Sequence, residues 1–202
     1  MESPDRRRRR ERAGGDVRLA LEIVANALCA LSIILAGRNN VHTWWTGIAG
    51  CAVFGVVYFQ TQLYADVTLQ VFFIAASVVG WWGWLHGNRG DELPVRHAGP
   101  RQTALLVLAA VAVTIGYGAL LQRFTNAYAP FLDSLILAFS VVGQLLLVWR
   151  KVESWWCWLL VNTVAVPVYG SRGLTITAAL YVVYWVNAIV SVRHWTRLAR
   201  SA

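Results

Sequence analysis

Residues 153–187 run Glu-Ser-Trp-Trp-Cys-Trp-Leu-Leu-Val-Asn, Thr-Val-Ala-Val-Pro-Val-Tyr, Gly-Ser-Arg-Gly, and Leu-Thr-Ile-Thr-Ala-Ala-Leu-Tyr-Val-Val-Tyr-Trp-Val-Asn. Two hydrophobic segments flank a short turn, and each carries one Trp and one Asn away from its ends: Trp158 with Asn162, and Trp185 with Asn187. An indole or an amide inside an apolar span is costly unless it binds a ligand or another polar group. The stretch therefore predicts two membrane helices that help to hold a flat, polar, aromatic ligand.

The composition places the chain in a membrane. Hydrophobic residues make up 57% of its 202 residues and charged residues only 14%, whereas a soluble domain carries about 25% charged residues. This predicts a polytopic membrane protein. The net charge of +8 comes largely from arginines in the two tails. We assign them to membrane topology and contact with anionic lipid, because no nucleic-acid-binding module accompanies them.

Seven apolar segments predict an all-α protein with seven transmembrane helices. Most are close to the roughly 20 residues that a helix needs to cross the hydrocarbon, and they are too uniformly apolar for barrel strands. Pro167 predicts a kink near the end of the sixth. Residues 1–16 are predicted to form a basic disordered tail, and 193–202 a second basic tail. The segments cover residues 17–36, 44–62, 66–85, 103–122, 131–149, 155–170 and 174–192.

The chain repeats itself at one ungapped offset. Trp44-Trp45 recurs 111 positions later as Trp155-Trp156, and Trp84 recurs as Trp195. By chance, one offset should match fewer than one Trp pair. We therefore predict two three-helix repeats, 17–85 and 131–192, joined by the loop and linker helix of residues 86–130. A single linking helix restores the starting orientation, so the repeats should be parallel. Further matches are Glu22 with Asp133, Ala27 with Ala138, Tyr58 with Tyr169, Leu63 with Leu174 and Leu69 with Leu180.

Charge does not determine the membrane orientation. With seven spans and the N-terminus inside, the 18 Lys and Arg residues divide equally between the two sides. The arginine-rich tail favours an internal N-terminus and the loops favour the opposite, so the positive-inside rule leaves the orientation open.

Polar and aromatic side chains inside the spans are the candidate ligand contacts. Gln70 lies on one helical face with Phe73 and Ser77, and Glu22 shares a face with Asn26. For any one of these polar residues, a hydrogen bond between helices, worth about 0.6 kcal/mol, is as good an explanation as contact with a ligand. For the nine Trp residues at span ends the favoured explanation is interfacial anchoring. The predicted substrate contacts are Gln70, Phe73, Gln144, Trp158, Asn162, Tyr184, Trp185 and Asn187.

No catalytic, metal or cofactor site is expected. The histidines lie at or beyond span ends without metal-ligand spacing, and no phosphate-binding or nucleophile motif is present. Cys29, Cys51 and Cys157 lack paired spacing and are predicted to be small buried residues. The acids Glu22, Asp66 and Asp133 lie near span ends, where we expect Glu22 and Asp133 to be interfacial or structurally paired.

Two stretches carry a resemblance to a known family. One runs from Leu63-Tyr64-Ala65-Asp66 through Gln70-Val71-Phe72-Phe73 to Gly80-Trp81-Trp82-Gly83-Trp84. The other runs from Arg150-Lys151-Val152-Glu153-Ser154-Trp155 through Asn162 and Tyr169 to Tyr181-Val182-Val183-Tyr184-Trp185. Over roughly residues 20–197 the chain resembles the Pnu vitamin transporters, the nicotinamide riboside transporter family. That family resembles full-length SWEET sugar transporters, with three helices, a linker helix and three helices.

The resemblance implies facilitated diffusion of nicotinamide riboside, with net uptake driven by cytosolic phosphorylation, in a homo-oligomer of the inner membrane. The ligand's pyridinium ring suits Trp and Tyr faces, where cation–π attraction reaches about 2 kcal/mol. Its carboxamide and hydroxyls suit Asn and Gln. Thiamine and riboflavin are the alternative ligands within the family. Outside it, the alternatives are an integral-membrane enzyme, which would need acids or histidines around one cavity, and a scaffold protein that binds no vitamin.

Overall fold

The computed structural model describes residues 4–60, 62, 64–125 and 128–201, with the side chains of 4–15 and 64–66 excepted. The repeat match at Leu63 and the side chain of Asp66 therefore lie outside the described residues, as do the side chains of the tail arginines before Arg18. Within the described part there is no β-strand, and all seven predicted helices are present. They are α1 (Pro4–Gly37), α2 (Thr43–Gln60), α3 (Tyr64–His86), α4 (Pro100–Phe124), α5 (Pro130–Val148), α6 (Ser154–Ser171) and α7 (Thr175–Ser201).

The two tails differ from the prediction. Helix α1 begins at Pro4, within the segment predicted to be disordered, and α7 continues to Ser201 instead of ending near residue 192. Arginine, which has high intrinsic helix propensity, is the commonest residue in both extensions. Each extension also prolongs a helix that is already nucleated, so only the cheaper propagation step remains.

Proline marks helix starts and one helix interior. Helices α4 and α5 begin at Pro100 and Pro130. Proline is tolerated there because N–H groups in the first turn of a helix have no carbonyl acceptor within the helix. Pro167 lies inside α6, which nevertheless continues to Ser171. A proline there removes one backbone hydrogen bond, so α6 has a weak point one turn before its end.

Five of the described helices are long and apolar enough to cross a membrane: α1 (from Asp16), α3 (from Val67), α4, α5 and α7. Helices α2 and α6 have 18 residues each, which corresponds to about 27 Å at 1.5 Å per residue. Both are the middle helices of the predicted repeats. The chain is thus a multi-pass integral membrane protein.

Helix packing follows chain order within each half. Helix α1 packs on α2 and α2 on α3, and in the same way α5 packs on α6 and α6 on α7. Helix α4 contacts α5 alone among the described helices. The halves meet where α1 packs on α7 and where α3 packs on α5. A space is left between them.

Four tryptophans predicted to anchor at the membrane interface are instead core residues. Trp44, Trp84, Trp155 and Trp195 are each at most 2% exposed and belong to one cluster where the halves meet. The Trp84 ring lies 5.1 Å from Trp44 and 5.7 Å from Trp195, whose ring lies 5.6 Å from Trp155. The interfacial assignment was wrong for these four. It used only their positions near the ends of the spans, which do not show which face of a helix packs against a neighbouring helix. The other five end-of-span tryptophans, Trp45, Trp81, Trp82, Trp149 and Trp156, are exposed by 39–69%.

Candidate functional site

A cavity of about 530 Å³ lies between the two halves. Residues of every helix except α4 line it. None of the described residues in its wall carries a formal charge, and the wall combines aromatic rings with amides and hydroxyls. Its volume is within the range of small-molecule sites, about 300–1,000 Å³. The space therefore suits a ligand that is aromatic, polar and not anionic.

The tryptophan cluster lies at one end of this cavity. Trp44 and Trp155 line the cavity, while Trp84 and Trp195 lie behind them. The indole N–H of Trp84 donates to the Leu147 carbonyl at 3.0 Å. The indole N–H groups of Trp44 and Trp155 are buried without a hydrogen-bond partner in the described structure. The indole N–H of Trp195 donates to the Ala36 and Gly37 carbonyls at 3.2 Å. Two of the four indoles thus join the halves by hydrogen bonds, and the other two join them only by packing.

A buried arginine lies beyond the tryptophan cluster, in the turn between α5 and α6. Arg150 donates to Asn39 Oδ1 at 3.0 Å and to the Leu93 carbonyl, and its guanidinium lies 4.6 Å from the Trp84 ring centroid. Burial lowers the pKa of Arg150 from its ordinary value, and the nearby carboxylate of Glu92 opposes this shift. These contacts join the turns that follow α1 and α5 to the segment around Leu93.

Tyrosines line the opposite end. Tyr58 of α2 and Tyr169 of α6 both face the cavity, with Tyr181 of α7 beside them. The Tyr169 and Tyr181 rings lie 5.1 Å apart. Near this end, Nη2 of Arg172 donates to both carboxylate oxygens of Asp133, at 2.9 and 2.8 Å, and forms an ion pair with it. Asp133 is therefore structurally paired, as predicted.

Six of the eight predicted contacts lie together in the cavity wall. Trp158 and Asn162 are four residues apart on α6, and Gln70 and Phe73 are three apart on α3, so each pair shares a helical face. Their common location does not by itself establish ligand binding. The six are Gln70, Phe73, Gln144, Trp158, Asn162 and Tyr184.

Two buried amides in this wall have no partner within the described structure. Asn162 is 3% exposed and Gln144 is 8% exposed, and both line the cavity without a side-chain hydrogen bond to another described residue. The polar atoms of neither amide are fully enclosed, so they contact the open space of the cavity. Their polar atoms are therefore available to a ligand or to water in the cavity.

Trp185 and Asn187 do not line the cavity, which corrects the prediction for these two residues. The Trp185 indole is 38% exposed and donates to Thr163 Oγ1 at 3.0 Å. The Asn187 amide donates to the Ile33 carbonyl of α1 at 3.1 Å. Because successive side chains are about 100° apart around a helix, Trp185 lies on a different face of α7 from Tyr184. Both side chains link helices.

Several wall residues were missed or misjudged. Tyr181 lies three residues before Tyr184, so helical spacing could have identified it. Asn26 lines the cavity, while its neighbour Glu22 pairs with Arg18 at 3.0 Å outside it. Cys29 and Cys51 are only partly buried and line the cavity with their thiols in contact, whereas Cys157 is buried as expected. No cluster of three metal-ligating side chains occurs among the described residues.

Residues 19–197 match the family model described as "Nicotinamide mononucleotide transporter". The chain belongs to this family. Family membership and the apolar helices make the chain a membrane transporter, not an enzyme.

Curated relatives agree with this assignment. The chain is 28% identical to the nicotinamide riboside transporter PnuC of Escherichia coli (strain K12), over 93% of its own length and 90% of the relative's. It is 26% identical to the riboflavin/roseoflavin transporter RibM of Streptomyces davaonensis, over 86% and 83% of the two lengths. A solved structure described as the vitamin B3 transporter PnuC superposes with a TM-score of 0.69. It is 22% identical and covers 90% of this chain and 82% of that one. The structural match supports the fold.

Proposed function

We propose that this transporter moves nicotinamide riboside across the membrane by facilitated diffusion. The observation that carries the proposal is the pair of buried, unpaired amides, Asn162 and Gln144, in an uncharged cavity beside the Trp158 indole. Amides match the carboxamide and hydroxyls of the ligand, and aromatic faces match its pyridinium cation. Two relatives named nicotinamide riboside transporters support the choice, at 28% and 25% identity.

The same cavity disfavours the phosphorylated form that the family description names. A nucleotide phosphate carries up to two negative charges, yet no described wall residue is Lys, Arg or His. Burying an unpaired anion is strongly unfavourable. Nicotinamide riboside should therefore bind and its mononucleotide should not.

Riboflavin is the second candidate, because the similarity to RibM extends over 86% of this chain. Its neutral, three-ring isoalloxazine also suits a wall of aromatics and amides, but it requires more room than a single pyridinium ring. Thiamine, a cationic vitamin, is the remaining alternative ligand.

For the architecture, we propose seven membrane spans arranged as two parallel three-helix repeats joined by α4. Two features support this arrangement. The contact of α1 with α7 has a counterpart in the contact of α5 with α3, as a two-fold relation between repeats requires. The bond from Trp84 to Leu147 likewise has a counterpart 111 positions away, from Trp195 to Ala36 at 3.2 Å. In repeat-built transporters the ligand binds between the repeats, where this cavity lies.

The proposed function is tested by binding and by transport. Purified protein is titrated by calorimetry with nicotinamide riboside, nicotinamide mononucleotide, thiamine and riboflavin, using wild type, Asn162→Ala and Asn187→Ala. We expect saturable binding of the riboside alone, at least tenfold weaker in Asn162→Ala and unchanged in Asn187→Ala. Preferential binding of another vitamin would replace the substrate, and absence of binding by all four would reject the proposal.

Proteoliposomes test the mode of transport. For facilitated diffusion, internal riboside should rise to the external concentration and no further, and ionophores should not change the rate. Enclosing a kinase that phosphorylates the riboside, together with ATP, should raise the total vitamin inside above that limit. Accumulation without the kinase, driven by an ion gradient, would contradict this mode.

A further inference from the structure

The two halves present different walls to the cavity at equivalent positions. Trp158 and Asn162 of α6 correspond, 111 residues earlier, to Gly47 and Cys51 of α2, and all four residues line the cavity. One repeat thus fills the cavity with an indole and an amide. The other repeat has only a hydrogen atom and a thiol at the equivalent two positions.

The helix behind each of these positions shows the reverse pattern. Trp158 lies over Gly143 of α5, where a Cβ atom would come within 3.3 Å of the indole Cε2. The counterpart of Gly143 is Ser32 of α1, and a Cβ atom on Gly47 would lie 2.9 Å from Ser32 Oγ. The second repeat therefore has a glycine that admits the indole, whereas the first repeat has a serine hydroxyl that excludes one.

Neighbouring residues supply what a ring in this space would need. Phe73 and Tyr184 occupy equivalent positions and both line the cavity. Asn162 and Gln144 contribute buried, unpaired amides from the second repeat. A ring on the first-repeat side could therefore stack on an aromatic face and reach these amides with its polar substituent.

We propose that the ligand's heteroaromatic ring lies in the cavity beside Gly47 and Cys51, on the side where the first repeat places no indole, and that the room on this side limits the ring size the protein accepts. The proposal rests on the proposed function and adds the position and the size limit of the ring. If the two repeats had identical side chains, they would present identical walls to a ligand whose ring and ribose differ in shape and polarity. Gly47 and Cys51 make the first-repeat wall different from the second-repeat wall.

The decisive variant is Ser32→Gly/Gly47→Trp, which builds the missing indole together with the glycine that makes room for it. Calorimetry with nicotinamide riboside should show at least tenfold weaker binding than wild type. Ser32→Gly alone is the matched comparison, and the double variant should bind the riboside at least tenfold more weakly than this single variant. A folded double variant that binds the riboside as wild type does would overturn the proposal.

Cys51 provides a second route if the double variant does not fold. Cys51→Phe fills the space and should weaken riboside binding at least tenfold relative to wild type. Gly55→Ala is a control on the same helix, because its added Cβ would lie 3.9 Å from Gln70 and fill no cavity space. Wild-type affinity in folded Cys51→Phe would also overturn the proposal.

The size limit has its own readout. Cys51→Gly enlarges the space, so riboflavin, which we expect wild type not to bind, should give saturable binding in calorimetry. A folded Cys51→Gly variant that binds no riboflavin would contradict the size limit. Failure of the proposed function is distinguishable, because wild-type protein would then bind no riboside at all. Riboside binding by wild type and equally by all the filled variants would reject this inference alone.

Discussion

Asn39 and Arg150 are hydrogen bonded at 3.0 Å and lie 111 residues apart, the offset at which Trp44, Trp45 and Trp84 recur in the sequence. Both have positive φ values, 55° and 54°, in the equivalent turns that follow α1 and α5. A left-handed backbone conformation is unusual for arginine. The buried contacts of the Arg150 side chain with Asn39, the Leu93 carbonyl and Trp84 offset this cost.

Removing the Arg150 side chain should lower the stability of the folded protein. Arg150→Ala leaves the Asn39 amide oxygen and the Leu93 carbonyl without their donor, so we expect a loss of about 2 kcal/mol. Thermal unfolding of detergent-purified protein measures it. Arg38→Ala, an exposed arginine in the equivalent turn, is the control and should leave the midpoint unchanged. Equal unfolding midpoints for both variants would show that the Arg150 contacts do not contribute to stability.

The four clustered tryptophans should fall into two pairs that differ in how much stability is lost when each is replaced by Phe. Phenylalanine at Trp84 or Trp195 removes a hydrogen bond to a carbonyl of the other half, whereas at Trp44 or Trp155 it removes a buried N–H that has no partner in the described structure. Each variant in the first pair should lose about 1 kcal/mol more than each in the second. Thermal unfolding of all four variants checks this, and equal losses would contradict it.

The two asparagines at Asn162 and Asn187 should behave oppositely. Asn162→Ala removes an amide without a described partner, so stability should stay within about 0.5 kcal/mol while riboside binding falls at least tenfold. Asn187→Ala breaks the bond to Ile33 and should cost about 1 kcal/mol without affecting binding. Paired calorimetry and thermal unfolding measure both effects. Loss of binding in Asn187→Ala alone would contradict the cavity assignment.

Thiol chemistry should report occupancy of the cavity. Cys29 and Cys51 line it, whereas Cys157 is 8% exposed and lies outside its wall. A small methanethiosulfonate reagent should therefore inhibit uptake, and saturating riboside should slow the inhibition. Cys29→Ser/Cys51→Ser should resist the reagent and Cys157→Ser should remain sensitive. Inhibition that persists in the double variant would place the reactive thiol elsewhere.

Much of this organisation follows from patterns along the chain. Uniform apolar runs separated by short polar turns require helices in a membrane, since each backbone polar group must be satisfied within its own segment. Helical spacing places Gln70 with Phe73, and Trp158 with Asn162, on shared faces, and both pairs line the cavity. The recurrence of Trp44 and Trp84 as Trp155 and Trp195 indicates the repeat without reference to any contact.

By itself, then, the sequence determined the membrane class, the seven helices and the stripes on which polar residues lie, because these depend on local periodicity and segment length. Only the tertiary structure decided which stripe faces the cavity and which faces a neighbouring helix. Trp158 faces the cavity while Trp185 faces Thr163, and Trp84 is buried while Trp82 is 69% exposed. The rotation of each helix about its axis is determined by packing against other helices, and residues distant in the chain control that packing.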